Sequence, residues 1–228
     1  MPPTRKDVAP AARAAVAPQR NLVDGAVLGT GAKLQRLRLL DETQVKSCRK
    51  CSLCETRTHT VFGQGDPDAR LVFVGEAPGF EEDQKGLPFV GRAGELLTRM
   101  IAAMGLSREQ VYICNVLKCR PPGNRTPSAD EMLTCGPYLR EQIEVIRPQV
   151  LVALGAPASK TLLNTTETIG RLRGRLHPFY FSGNADVGPS IPLMPTFHPA
   201  YLLRSPDEKR KAWDDLKLVM ELLQLPIP

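Results

Sequence analysis

Carboxylates, glycines and aromatics crowd one short stretch of this chain, VGEAPGFEEDQKGLPFVGRAG from Val74 to Gly94. Glu76, Glu81, Glu82 and Asp83 can accept a proton or orient a water. Gly75 and Gly79 carry no Cβ, so a ligand can approach the main chain closely there. Read blandly, the same residues make an acidic surface loop. A second reactive set is the six cysteines at positions 48, 51, 54, 114, 119 and 135. The first three are spaced C-x2-C-x2-C, which suits thiolate ligation of a metal centre better than a disulfide framework in an intracellular chain of this length. Four thiolates satisfy tetrahedral zinc and a cubane iron-sulfur cluster equally well, so spacing leaves both open. Cys114 lies in an apolar run and fits a core position, whereas Cys48, Cys51 and Cys54 lie in a polar segment.

The elements that must position these groups follow from hydrophobic periodicity. Leu71 to Val74 is a short apolar run with the pattern of a buried strand, and Ala93 to Met104 has helical apolar spacing. The acidic loop therefore sits at a strand's carboxyl end, where open α/β sheets place their binding crevices. Further strands are predicted at Val111 to Leu117, Val150 to Leu154 and Ile191 to Phe197, the last ending beside His198. Ser128-Ala-Asp-Glu131 reads as a capping box opening a helix to about Ile146, and Ser205-Pro-Asp-Glu208 as another opening a final helix through Leu223. Gly170 to Gly188 reads as a hairpin or an irregular excursion. Alternating strands and helices predict a three-layer α/β/α sandwich around a mostly parallel four-stranded sheet.

At 228 residues the chain is long enough for one domain, here residues 34–228, with residues 1–33 forming a disordered Ala/Pro-rich basic tail. A net charge of +6 permits a polyanionic partner without requiring one. No apolar run is long enough to span a bilayer and no secretory leader is evident, so a cytoplasmic protein is expected.

Several motifs recur together: the Cys48/Cys51 pair, GEAPG from Gly75 to Gly79, PFVGRAG from Pro88 to Gly94, CRPPGNRTP from Cys119 to Pro127, Cys135, and HPAYLLR from His198 to Arg204. In this order they resemble the family 4 uracil-DNA glycosylases. The resemblance spans roughly Ser47 to Arg204 and implies an α/β/α fold, a structural 4Fe-4S cluster and excision of uracil from DNA. Carried over residue by residue, the cluster ligands fall on Cys48, Cys51, Cys119 and Cys135, leaving Cys54 and Cys114 as spectators. The implied substrate is uracil in single- or double-stranded DNA. The enzyme would be a monomer, nucleoid-associated in a prokaryote, with a sliding-clamp contact open to the N-terminal tail. A variant group that bonds covalently to its abasic product carries a histidine-containing insert after the second strand, and Cys119 to Arg125 contains no histidine. A non-enzymatic iron-sulfur or zinc protein that binds nucleic acid is the remaining alternative.

The chemistry implied is specific. Uracil must leave the duplex and enter a pocket. In the family pattern Phe89 stacks on the base, a contact generally worth roughly 1 to 3 kcal/mol. Asn115 donates to O4 and accepts from N3–H, and the backbone of Gly75, Glu76 and Ala77 adds hydrogen bonds. His198 donates to O2 as negative charge develops on the departing base. Glu82, with Asn124, is expected to position the water, with Glu76 and Asp83 as lesser helpers. Lys118, Arg120, Arg125, Arg171, Arg173, Arg175 and Arg204 are candidates for phosphate contacts. Leu202 is the candidate wedge for the gap left by the base, with Tyr201 and Leu203 as rivals. If the cysteine assignment is right, Cys51→Ser abolishes the broad visible absorption of an iron-sulfur chromophore and Cys54→Ser retains it; the reverse pattern would reassign the ligands.

Overall fold

A computed structural model describes residues 28–183 and 187–227. The start of the expected tail lies outside the described residues, and so does most of the segment to which a sliding-clamp contact was assigned. Residues 30–33, expected in the tail, instead belong to helix α1, Thr30–Leu40. Lys33 explains the difference: its ammonium donates to the Ile146 carbonyl at 2.9 Å and pairs with Asp68 at 2.7 Å, fixing α1 to the domain.

The sheet has six strands in the order β1-β3-β2-β4-β6-β5. The ranges are β1 Gln64–Gly65, β2 Leu71–Gly75, β3 Tyr112–Asn115, β4 Val150–Leu154, β5 His177–Tyr180 and β6 Ser190–Thr196. The four predicted strands are the inner ones, and β3, β2, β4 and β6 run parallel. The expected count of four is corrected by β1 and β5, which pair antiparallel at the two edges. Only β5 falls within Gly170 to Gly188; it pairs with β6 beyond that interval and follows the single turn α6, Ile169–Leu172.

Alternation along the inner strands divides the core into two layers. Val72 and Val74 of β2 pack with Leu151 and Ala153 of β4 against one apolar cluster. Leu71 and Phe73 pack with Val150 and Val152 against the other. The first layer is covered by α1, α4 (Ala129–Ile146) and α5 (Ala156–Leu163), and the second by α3 (Arg92–Ala103) and α8 (Lys209–Leu223). This is the three-layer sandwich expected. At the start of α4 the capping box is present, with the Glu131 amide donating to Ser128 Oγ at 3.2 Å and the Ser128 amide donating to Glu131 Oε2 at 2.8 Å.

The other predicted capping box does not form. Ser205 closes the short helix α7, Pro199–Arg204, by donating its amide to the Tyr201 carbonyl. That role excludes the extended N-cap geometry, so Pro206–Glu208 makes a 3-10 turn and α8 starts at Lys209. The acidic loop also holds a helix that periodicity missed, α2, Phe80–Lys85.

Asp215 of α8 ties the far side of the sheet together. Wholly buried, its carboxylate accepts from Arg173 Nε and Nη2 at 3.0 and 2.8 Å, from the Gly174 amide at 2.9 Å and from Thr196 Oγ1 at 2.6 Å. Thr196 ends β6 two residues before His198, so this buried ion pair sets the height of the following turn. Asp215→Asn is expected to lower unfolding free energy by about 3 kcal/mol, because it leaves the Arg173 charge poorly compensated. A loss below about 1 kcal/mol in urea unfolding would contradict that account.

Candidate active site

Parallel strands deliver their carboxyl ends to one edge of the sheet, and the sequence-predicted site residues meet there. Gly75 ends β2, Asn115 ends β3, and His198 follows β6 at the start of α7. Gly75 and Asn115 are register partners on adjacent strands. A Cβ at Gly75 would overlap Asn115 Oδ1 and stand 2.5 Å from Phe89 Cζ, so the missing side chain is what lets these two groups face one another. Phe89 and His198 have ring centroids 5.7 Å apart, tilted by 33°. Asn115 Oδ1 is buried and has no hydrogen-bond partner. A buried amide oxygen left unpaired is costly, and such a group in a cleft marks a ligand position.

His198 arrives with its tautomer set. Its Nδ1 accepts from the Ala200 amide at 3.1 Å, capping α7, so the neutral ring carries its proton on Nε2 and can donate from there. Burial, followed by the nearby Arg204 charge, pushes its pKa down to about 4, while Glu82 opposes the shift. The ring is therefore neutral at pH 7.

Phe89 occupies left-handed backbone at φ 52°, an unfavourable conformation for an aromatic residue. Two features hold it there. A side chain at Gly94 would overlap the Phe89 carbonyl oxygen, so the chain can fold back only over glycine. Arg108, on the turn before β3, donates from Nη1 to that carbonyl at 3.1 Å and from Nη2 to the Pro88 carbonyl at 2.9 Å. Sequence reading missed Arg108, since no local pattern marks an arginine clamping a loop nineteen residues away.

The carboxylates sort differently from expectation. Glu82 Oε1 accepts from the Val90 and Gly91 amides at 2.8 and 3.0 Å, and Oε2 from the Gly79 amide at 3.1 Å. Its role changes accordingly: it caps α2 and closes the loop into α3, leaving one of its roughly four acceptor sites. Asn124 accepts from Arg120 Nε at 2.6 Å, so its amide oxygen is also engaged. Asp83 is buried and accepts from the Thr58 amide at 2.9 Å. Glu76 is half-buried at the end of β2, and burial alone raises its carboxyl pKa above the ordinary value. The Gly75 and Glu76 carbonyls accept from the Val116 and Leu117 amides at 2.9 and 3.0 Å, and Ala77 follows them in the turn.

Three proposed DNA contacts are corrected. Lys118 is fully buried, its ammonium donating to the Asn115 carbonyl at 2.8 Å and to Gln142, so it cannot reach a phosphate. Arg173 is committed to Asp215. Leu202 is buried with Leu96 and Ala212 and cannot enter DNA, whereas its rival Tyr201 is 37 % exposed. Arg125 is exposed but forks onto Glu131, whose carboxyl it holds down at about 2. Arg204 is exposed close enough to His198 for its charge to act there.

A separate pocket gathers Cys48, Cys51, Cys54, Cys119 and Cys135, with Cys114 in the core instead. Arg57 donates to Cys119 Sγ at 3.1 Å, Tyr138 Oη to Cys48 Sγ at 3.3 Å and the Lys118 amide to Cys135 Sγ at 3.3 Å. Donors aimed at sulfur suit thiolate ligands of a metal centre. Burial pushes the Cys119 thiol up to about 11, so ionisation there calls for a bound cation. Among the described residues, no three Cys, His, Asp or Glu groups stand in position to hold a single metal ion.

The Uracil DNA glycosylase superfamily model matches residues 62–217. The chain belongs to that superfamily. A type-4 uracil-DNA glycosylase of Thermotoga maritima is 50% identical over 163 residues, 71% of this chain and 81% of that protein. The Archaeoglobus fulgidus type-4 enzyme is 45% identical over 183 residues, 78% and 89% of the two chains. A type-5 enzyme of Pyrobaculum aerophilum is 30% identical over 153 residues, 60% and 64% of the two. The type-4 resemblance read from the motifs therefore stands.

If the Arg108 clamp sets the Phe89 ring, Arg108→Ala slows uracil release at saturating protein by about tenfold or more, and Arg108→Lys does not restore it, since lysine lacks the fork that spans two carbonyls. An unchanged rate in Arg108→Ala would show that Phe89 holds its own conformation.

Proposed function

We propose that this protein is a monofunctional uracil-DNA glycosylase of DNA repair, flipping uracil from single- or double-stranded DNA and hydrolysing its N-glycosidic bond to leave an abasic site. The unpartnered Asn115 Oδ1 beside Phe89 carries the reading. That oxygen accepts from N3–H of uracil while the same amide donates to O4. Cytosine offers a lone pair at N3 and an amine at C4, so both contacts turn repulsive. Phe89 stacks on the flipped base, and the turn of Gly75, Glu76 and Ala77 lines its edge.

His198 supplies the donor for O2. A neutral imidazole with its proton on Nε2 strengthens its hydrogen bond as the departing base becomes an anion, and it needs no proton transfer to do so. Glu76 replaces Glu82 as the carboxylate proposed to orient the attacking water, because its raised pKa brings it closer to the range of a working base. Glu82 and Asn124 act by shaping the loops on either side. Arg120, Arg125 and Arg204 are the proposed phosphate contacts.

Cys48, Cys51, Cys119 and Cys135 are proposed to hold a 4Fe-4S cluster, with Arg57, Tyr138 and the Lys118 amide donating to their sulfurs. When bound, the cluster supplies a cross-link between the N-terminal segment and the loop after β3. The protein is proposed to act as a cytoplasmic, nucleoid-associated monomer; among the described residues no helix is long and apolar enough to cross a membrane.

The test is cleavage of oligonucleotides bearing uracil, cytosine or thymine, followed by alkali to reveal abasic sites. Strand breaks at uracil and none at cytosine are expected; breaks at neither would refute the activity. Its pH dependence tests the assignments further. Glu76 must be ionised to act, so the rate falls as pH drops through its raised pKa. His198 is already neutral well below its ordinary value of about 6.5 and adds no inflection there. Glu76→Gln is expected to lose about a hundredfold and to lack that acid limb. His198→Ala is expected to lose about two to three powers of ten at every pH. An acid limb preserved in Glu76→Gln, or one centred near 6.5 that vanishes in His198→Ala, would overturn these roles.

A further inference from the structure

The acidic loop holds one residue to which the mechanism above gives no task. Phe80, the first residue of α2, is 51 % exposed four residues after Glu76. A lone exposed apolar side chain is ordinary, but this one is furnished on one side. The guanidinium of Arg120 lies over its ring at 5.0 Å, and Arg120 Nε donates to Asn124 Oδ1 at 2.6 Å, which fixes the position of the cation. The pair joins two segments far apart in sequence, the loop after β2 and the loop after β3. Glu82 ties α2 to the loop that carries Phe89, accepting from the Gly79 amide before Phe80 and from the Val90 amide after Phe89.

We infer that Phe80, backed by Arg120, is a stacking platform for a nucleobase in the strand that carries the uracil, next to the flipped nucleotide. The inference rests on the uracil-excision reading. Extruding a nucleotide strips its neighbour of a stacking partner, and a flat aromatic face can replace it whatever the neighbour's sequence. Charge supports the same occupant, because the cation behind the ring favours a polyanionic strand across it. Leu202, the side chain expected to fill that space, is buried and unable to do so.

The experiment measures binding to a single-stranded oligonucleotide holding an uncleavable 2′-fluorinated deoxyuridine. The wild-type protein carries one tryptophan, so the indole introduced by Phe80→Trp is read as a difference from the wild-type titration. Strong quenching of that added emission on binding is expected, together with affinity at least equal to wild type. Phe80→Ala and Phe80→Leu are each expected to bind about ten- to a hundredfold more weakly, since leucine keeps apolar bulk and loses the π face. Emission unaltered by bound DNA, or wild-type affinity in Phe80→Leu, would overturn the inference. Uracil release by the wild-type protein, measured alongside on a cleavable strand, separates the two failures. Release without quenching sinks the platform alone, and absence of release sinks the excision reading.

Discussion

The absence of one side chain governs this site. Where β2 ends, Gly75 leaves room for Asn115 Oδ1 and the Phe89 ring to face the same space, and a single added Cβ would meet both. Every other feature of the pocket acts on that space. The parallel ladder of β2 with β3 sets Gly75 against Asn115, Arg108 clamps the carbonyls of Pro88 and Phe89, and the cap on α7 fixes the proton on His198. Two strand ends and two loops thus converge on a slot for a planar ring, with a neutral donor across from it.

Rigidity comes from polar groups that touch no substrate. Glu82 satisfies three backbone amides and so joins the starts of α2 and α3. Asp215 satisfies four donors beneath the turn that carries His198. Lys118 is buried and donates to the Asn115 main-chain carbonyl and to Gln142, tying the end of β3 to α4. Each is a charge removed from water and compensated by several hydrogen bonds, the condition under which buried charge can persist. In the cysteine pocket Arg57 and Tyr138 donate to the sulfurs of Cys119 and Cys48.

Much of the scaffold was legible because burial on both faces leaves a plain trace. Leu71 to Val74 and Val150 to Leu154 are continuous apolar runs, and both are inner strands. Pro178 obscures β5, and β1 is two residues long, so the two edges escaped periodicity. The members of the pocket were legible through the family resemblance and not through spacing alone: Gly75, Phe89, Asn115 and His198 converge. Roles that depend on burial were not legible. Charge alone does not reveal that Lys118 and Arg173 face inward, nor does helical position reveal that Leu202 faces Ala212 and not solvent. Glu82 and Glu76 are alike as residue types, and only the three amides around Glu82 mark it as a loop-building carboxylate. Arg108 and Phe80 owe their places to contacts between distant segments, which no single-sequence pattern records.

The central claim is that the unpaired oxygen of Asn115 awaits the N3–H of a pyrimidine stacked on Phe89. A crystal structure with free uracil bound tests it most directly. The account predicts N3 within about 3 Å of Asn115 Oδ1, the ring lying on Phe89 and O2 turned toward Nε2 of His198. Uracil bound elsewhere, or seated in the pocket with Asn115 Oδ1 still unpaired, would contradict it.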